Sequence, residues 1–134
     1  MLIEFALSSS LLFLLLFGVI DFSRVFAIAC AVQGAARSGT QYGMLSPAHY
    51  NDFNGMRNAA VGSTNVSSGL TASAYQFCSC SIGGARVDCP ATCSAGSPET
   101  YIEVDVAMPY YTIASYPGIP AITNLSARSI VRVQ

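Results

Sequence analysis

The sequence predicts an α+β chain: a long N-terminal α-helix, a short second helix, and a small antiparallel β-sheet with a disulfide loop. Three observations predict it. Residues 1–43 are dominated by Leu, Ala, Phe and Val with no proline before Pro47, which reads as one continuous helix. Tyr101–Met108 and Ile122–Val133 alternate apolar and polar residues, the period of a half-buried strand. Cys78, Cys80, Cys89 and Cys93 form one cluster ahead of those strands. Two parts follow: residues 1–45, a hydrophobic assembly or transmembrane helix, and residues 46–134, a small α+β outer domain.

The first helix opens with Phe5–Leu7 and an unbroken apolar run, Leu11–Ile20. Together they approach the roughly 20 residues a helix needs to cross a bilayer. In lipid, a helix is also the one single segment that satisfies its own backbone. Run on to Tyr42–Gly43 it would be about 60 Å long, roughly twice a bilayer core. Its Ala-rich second half can leave the membrane and pack on a soluble domain. Glu4 stands inside the apolar start, where a charge costs a few kcal/mol unless paired and is usually functional. The nearest cation for it is an α-amino group, its own or a neighbour's. No Lys or Arg precedes the run, which predicts that a leader has already been removed. Asp21 and Arg24 lie three apart on one helical face and are expected to pair. Ala27, Ala31, Ala35, Gly39 and Gly43 recur every four residues, a small-residue row that lets other helices approach closely. Gly18 is the softest point of the apolar half, and a membrane helix uses such a glycine for packing.

Ser46-Pro47 reads as a helix start, with Ser46 as N-cap. The helix is expected to run to Val61 and stop at Gly62, with Phe53, Met56 and Ala60 as its apolar stripe and Gly55 weakening it. Ser63–Gly69 is a polar loop. Asn65-Val66-Ser67 and Asn124-Leu125-Ser126 are formal sequons read as chance. Ala72–Cys80 is a strand entering the cysteine loop, with Arg86–Cys89 as its short return. In Tyr101–Met108, Ile102, Val104, Val106 and Met108 face one way and Tyr101, Glu103 and Asp105 the other, and Pro109 ends the strand. Tyr110–Pro120 is an aromatic loop. In the last strand Leu125, Ala127, Val131 and Val133 share a face opposite Arg128 and Arg132. Paired antiparallel, Glu103 and Asp105 would meet Arg128 and Arg132, each exposed pair contributing about 0.2–1 kcal/mol.

Four clustered cysteines beyond a membrane segment fit an oxidising compartment and two disulfides. Of three pairings, the nested one across a hairpin-like loop is favoured, Cys78–Cys93 and Cys80–Cys89. The alternative is zinc on Cys78, Cys80, Cys89 and Cys93. It is disfavoured because zinc knuckles more often use C-x2-C spacing and histidine. Cys30 sits alone in the helix.

The net charge of −1 and the absence of lysine leave no electrostatic footprint for nucleic acid. Ser8–Ser10 are expected to bond back to preceding carbonyls, and Gly83-Gly84 to form a turn. His49, the one histidine, reads as a surface residue. Tyr110, Tyr111 and Tyr116 either contact neighbours or cover the end of the sheet. No Ser-His-Asp set, metal-ligand pattern or phosphate loop stands out. The chain is therefore expected not to be an enzyme and to need no cofactor or metal.

Glu4-Phe5-Ala6-Leu7, the stretch Gly18 to Arg24, and Ala35-Ala36-Arg37-Ser38-Gly39 resemble the N-terminal signature of the TadE-like pseudopilins and pilins. These are type IV pilin-related proteins of bacterial tight-adherence pilus systems. The C-terminal YIEVDVAMPYY and YPGIPAITNLSARSIVRVQ look like that family's closing hairpin. One departure is that pilin-like proteins usually place the glutamate fifth after leader cleavage, and here it is fourth. The resemblance implies a pilin-like fold and a structural subunit that assembles by its N-terminal helix into an extracellular adhesive filament. It implies an inner-membrane precursor, partners that are copies of itself or other pilins, and a prepilin peptidase, an assembly ATPase and a membrane platform. A complete outer domain favours a homopolymer. The alternatives are a minor pseudopilin of such a system, or a single-span membrane-anchored, disulfide-bonded binding domain.

Overall fold

A computed structural model describes residues 2–66, 69–94, 96–113 and 122–133. The order is α1 (Leu2–Met44), α2 (Pro47–Tyr50), α3 (Phe53–Gly62), β1 (Thr71–Ser79), β2 (Glu99–Tyr111) and β3 (Ile122–Arg132). This is the expected α+β arrangement of a long helix, short helices and an antiparallel sheet. The strands form a three-stranded meander in the order β1-β2-β3. β2 is central, with Tyr75 opposite Glu103 on one side and Asp105 opposite Arg128 on the other.

α1 has 43 residues, about 65 Å at the helical rise. Its C-terminal half lies across the sheet, and α3 fills the space between α1 and β1. The core is Val32, Ala35 and Ala36 of α1, Met56 and Ala60 of α3, Leu70, and Ile102, Val104, Val106 and Met108 of β2. The alternation read from β2 is therefore correct, and it continues to Tyr110, which is also buried. Small residues on α1 set how closely it approaches. A Cβ added at Gly39 would stand 2.9 Å from Val104 Cγ1 and 3.0 Å from the Met56 carbonyl. One added at Gly43 would meet Ile102 and Met56. The Thr40 hydroxyl joins the helix to β3 through Ser129 Oγ at 2.9 Å.

Four expectations need correction. The helix from Ser46 to Val61 is two helices. Asp52 leaves the helical region (φ −92°, ψ 78°), and its carboxylate accepts the Gly55 N–H at 2.9 Å, so it caps a new helix instead of continuing the old one. Ser46 stands at the N-cap of α2, but its hydroxyl bonds His49 Nδ1 at 2.6 Å, not a backbone amide. Pro109 does not end β2, which runs to Tyr111. Proline is tolerated there because β1 starts at Thr71, opposite Ala107, so β2 has only β3 beside it at Pro109. The return strand at Arg86–Cys89 is a single bridge, Val87 opposite Cys78. Ser67 of the first sequon and Tyr116 of the aromatic loop lie outside the described residues, while Asn124-Leu125-Ser126 falls within β3.

Candidate functional site

α1 has two different halves. From Ile3 to Ile20 its large apolar side chains project away from the described part of the outer domain: Phe5 is 74% exposed, Leu14 65% and Val19 67%. Among the described residues α1 is the one helix long and apolar enough to cross a membrane. Ser9 and Ser10 donate to the carbonyls of Ala6 and Leu7, so their hydroxyls burden the apolar surface little. Glu4 lies in the first turn with its side chain exposed, at the end where the helix dipole favours an acid. Gly18 has nothing within 4 Å of where a Cβ would be.

The small-residue row is divided between two environments. Ala35, Gly39 and Gly43 are buried against the chain's own sheet and α3, Ala31 is half-buried, and Ala27 is exposed. The row was expected to receive other helices. Most of it instead seats the helix on its own domain, because the residues small enough for close approach to a neighbour also admit β2 and α3. The upper part is therefore not available to another helix.

Asp21 is the point where the two halves meet. It is 6% exposed. Tyr110 Oη donates to its Oδ1 at 2.9 Å, and the Ile113 amide donates to the same carboxylate at 3.2 Å. The expected partner, Arg24, lies 3.7 Å from Oδ1 with its guanidinium 5.7 Å above the Tyr110 ring. These contacts clasp the end of β2 to the helix where the lipid-like stretch stops. The Asp21–Arg24 spacing was legible in sequence, and Tyr110 was not. Its one sequence signal was its continuation of the inward alternation past Pro109.

The outer face of the sheet carries a charge network. Glu103 is 3% exposed because two arginines cover it: Arg86 from the cysteine loop and Arg128, whose Nε lies 2.9 Å from it. Arg128 also holds Asp105 through Nε at 2.7 Å and Nη2 at 3.2 Å. The Asp105 hydrogen bond, with the charges of Glu103 and Asp105, pushes the Arg128 pKa up. Arg132 does not meet Glu103 or Asp105. It stands opposite Tyr101 and reaches diagonally to Glu99 at 2.8 Å. Arg86 also lies 4.4 Å over the Phe77 ring, which stacks on Tyr101.

The disulfides are Cys78–Cys89 and Cys80–Cys93, an interleaved pairing that replaces the nested one. The reason is register. With Val87 opposite Cys78, Cys89 is the diagonal neighbour of Cys78, and their Cα atoms are 5.3 Å apart. Cys80 lies beyond the bridge on the other side of Cys78 and closes on Cys93. All four thiols are consumed in these bonds. Cys30 is exposed on α1.

A family model described as TadE-like protein matches residues 1–41. The match bears out the resemblance carried by Glu4–Leu7, Gly18–Arg24 and Ala35–Gly39, and it covers most of α1. α2, α3 and the sheet, including the stretch read as a closing hairpin, lie beyond the matched residues. No curated protein and no solved structure matches the chain.

Proposed function

We propose that this chain is a pilin-like structural subunit of a tight-adherence-type filament, held in the inner membrane by α1 and then assembled outside the cell for surface adhesion. The observation that carries the reading is the division of α1. One half is apolar and exposed, the other is built into a folded outer domain, and the similarity to TadE-like proteins runs through both. Such a helix is stable in lipid, and equally so in a bundle of like helices. Assembly exchanges lipid contacts for helix contacts, so packing at Gly18, Ala27 and Ala31 and neutralisation of Glu4 by an amine of a neighbour would drive it. The chain performs no catalytic step of its own in this reading. It depends on a prepilin peptidase, an assembly ATPase and a membrane platform, and its main partner is another copy of itself or another pilin.

A Glu4→Ala variant should accumulate in the membrane while yielding no filament. Cryo-electron microscopy of material sheared from expressing cells, with membrane fractions probed alongside, measures both. Normal filaments from the variant would remove Glu4 from the mechanism. Wild-type protein that stays membrane-bound and never forms a filament would leave two readings: a minor pseudopilin, or a membrane-anchored disulfide-bonded domain. The use of Ala35, Gly39 and Gly43 inside the chain's own core is the observation that favours these, since it leaves fewer small residues for neighbours.

A further inference from the structure

β2 runs antiparallel along α1. At one end Gly43 lies against Ile102 and Gly39 against Val104. At the other the Tyr110 hydroxyl and the Ile113 amide are both bonded to Asp21. Tyr111 pairs with Ile122 across the strands at this same end. Tyr111, Ile113 and Ile122 are 61%, 60% and 54% exposed, an apolar rim at the edge of the described residues.

Two further observations say what covers it. Glu4 and Asp21 lie 17 residues apart with no charge between them, about 26 Å along a helix axis. That is close to the roughly 30 Å of a bilayer's hydrocarbon core. A bilayer crossed by this stretch ends at Asp21, and the clasp fixes the rim at that level. The charges of the sheet are also segregated. Glu99, Glu103, Asp105, Arg128 and Arg132 lie between the middle of the sheet and its far end, with Arg86 beside Glu103, and the sequence from Val106 to Ala127 contains no charged residue. Arg24 is half-exposed beside Asp21, and in a bilayer ending at Asp21 its guanidinium would stand at the depth of lipid phosphates.

We infer that this rim rests on the bilayer surface, with Tyr111, Ile113 and Ile122 in the headgroup region, while the subunit is in the membrane. Aliphatic side chains gain there by leaving water, and a tyrosine buries its ring while its hydroxyl stays wet. The core packing of α1 fixes the outer domain on its helix, and the Asp21 clasp holds the rim end of β2 at the lipid surface. This rests on the membrane stage of the reading above.

The sequence contains no tryptophan, so one introduced indole reports one position. Full-length Tyr111→Trp, Ile113→Trp, Leu14→Trp and Ile82→Trp variants are reconstituted in phosphatidylcholine vesicles, with and without lipids brominated on the acyl chain or spin-labelled at the headgroup. Ile82, 83% exposed in the cysteine loop, is the distant control. The indoles at 111 and 113 should lose roughly twofold or more of their emission to the headgroup label and shift to the blue, as expected of an interfacial aromatic. The indole at 14 should be quenched by the brominated chains, and that at 82 by neither. Rim indoles as bright as the one at 82, with position 14 quenched, overturn the inference but keep the span. Position 14 unquenched removes the membrane reading and the inference with it.

Discussion

Asp21 brings a carboxylate, a phenol and a backbone amide to one point on the helix. Removing the phenolic hydroxyl isolates one of those bonds. Tyr110→Phe should destabilise the outer domain by about 1.5–3 kcal/mol, the range for a hydrogen bond to a charged group. Denaturant unfolding of the full chain in detergent micelles measures it, and no change would mean that the Ile113 amide and Arg24 suffice to hold Asp21. Asp52 gives a pH signature. The Gly55 N–H, then the Tyr42 hydroxyl, hold its carboxyl below the usual carboxylate range. A group depressed on folding contributes stability above its unfolded pKa and loses it as pH falls through the folded one. Asp52→Asn should therefore lower Tm at neutral pH, and the deficit should vanish at strongly acidic pH. A deficit constant across that window would assign the effect to shape, not charge.

At the scale of elements, α1 uses small residues for two different purposes. A Cβ added at Gly39 would press on Val104, Met56 and Ala60, whereas one added at Gly18 would meet nothing within 4 Å. Gly39→Leu should force α1 off the sheet and cost about 1–3 kcal/mol or more, read as a lowered unfolding midpoint. Gly18→Leu should leave the midpoint of the isolated subunit unchanged or raised, since glycine is the poorer helix former by about 1 kcal/mol against alanine. If neighbouring helices pack at Gly18, the same substitution reduces filament yield. A drop in monomer stability at Gly18 would instead mean that this part of α1 is packed within the chain.

For the whole molecule, the two disulfides staple the cysteine loop to the end of β1, and their pairing follows from the Cys78–Val87 bridge. Partial reduction, alkylation and mass spectrometry should recover links Cys78–Cys89 and Cys80–Cys93. Links Cys78–Cys93 and Cys80–Cys89 would require the return segment to slip in register. On the chain-entropy view each bond, closing 11 or 13 residues, contributes about 3 kcal/mol.

Much of this architecture is local and therefore legible. The uninterrupted apolar residues of α1, the period-two alternation of β2 and β3, and the Asp21–Arg24 spacing each depend on residues a few positions apart. Sequence alone determined those elements, their buried faces and the resemblance at the N-terminus. Tertiary structure decided the remainder. It buried Ala35, Gly39 and Gly43 inside the chain, gave Asp21 a tyrosine 89 residues away, moved Arg86 onto Glu103 and interleaved the cysteines. The reason is physical: small residues, carboxylates and thiols can each satisfy several partners, and only the packing of distant segments selects one.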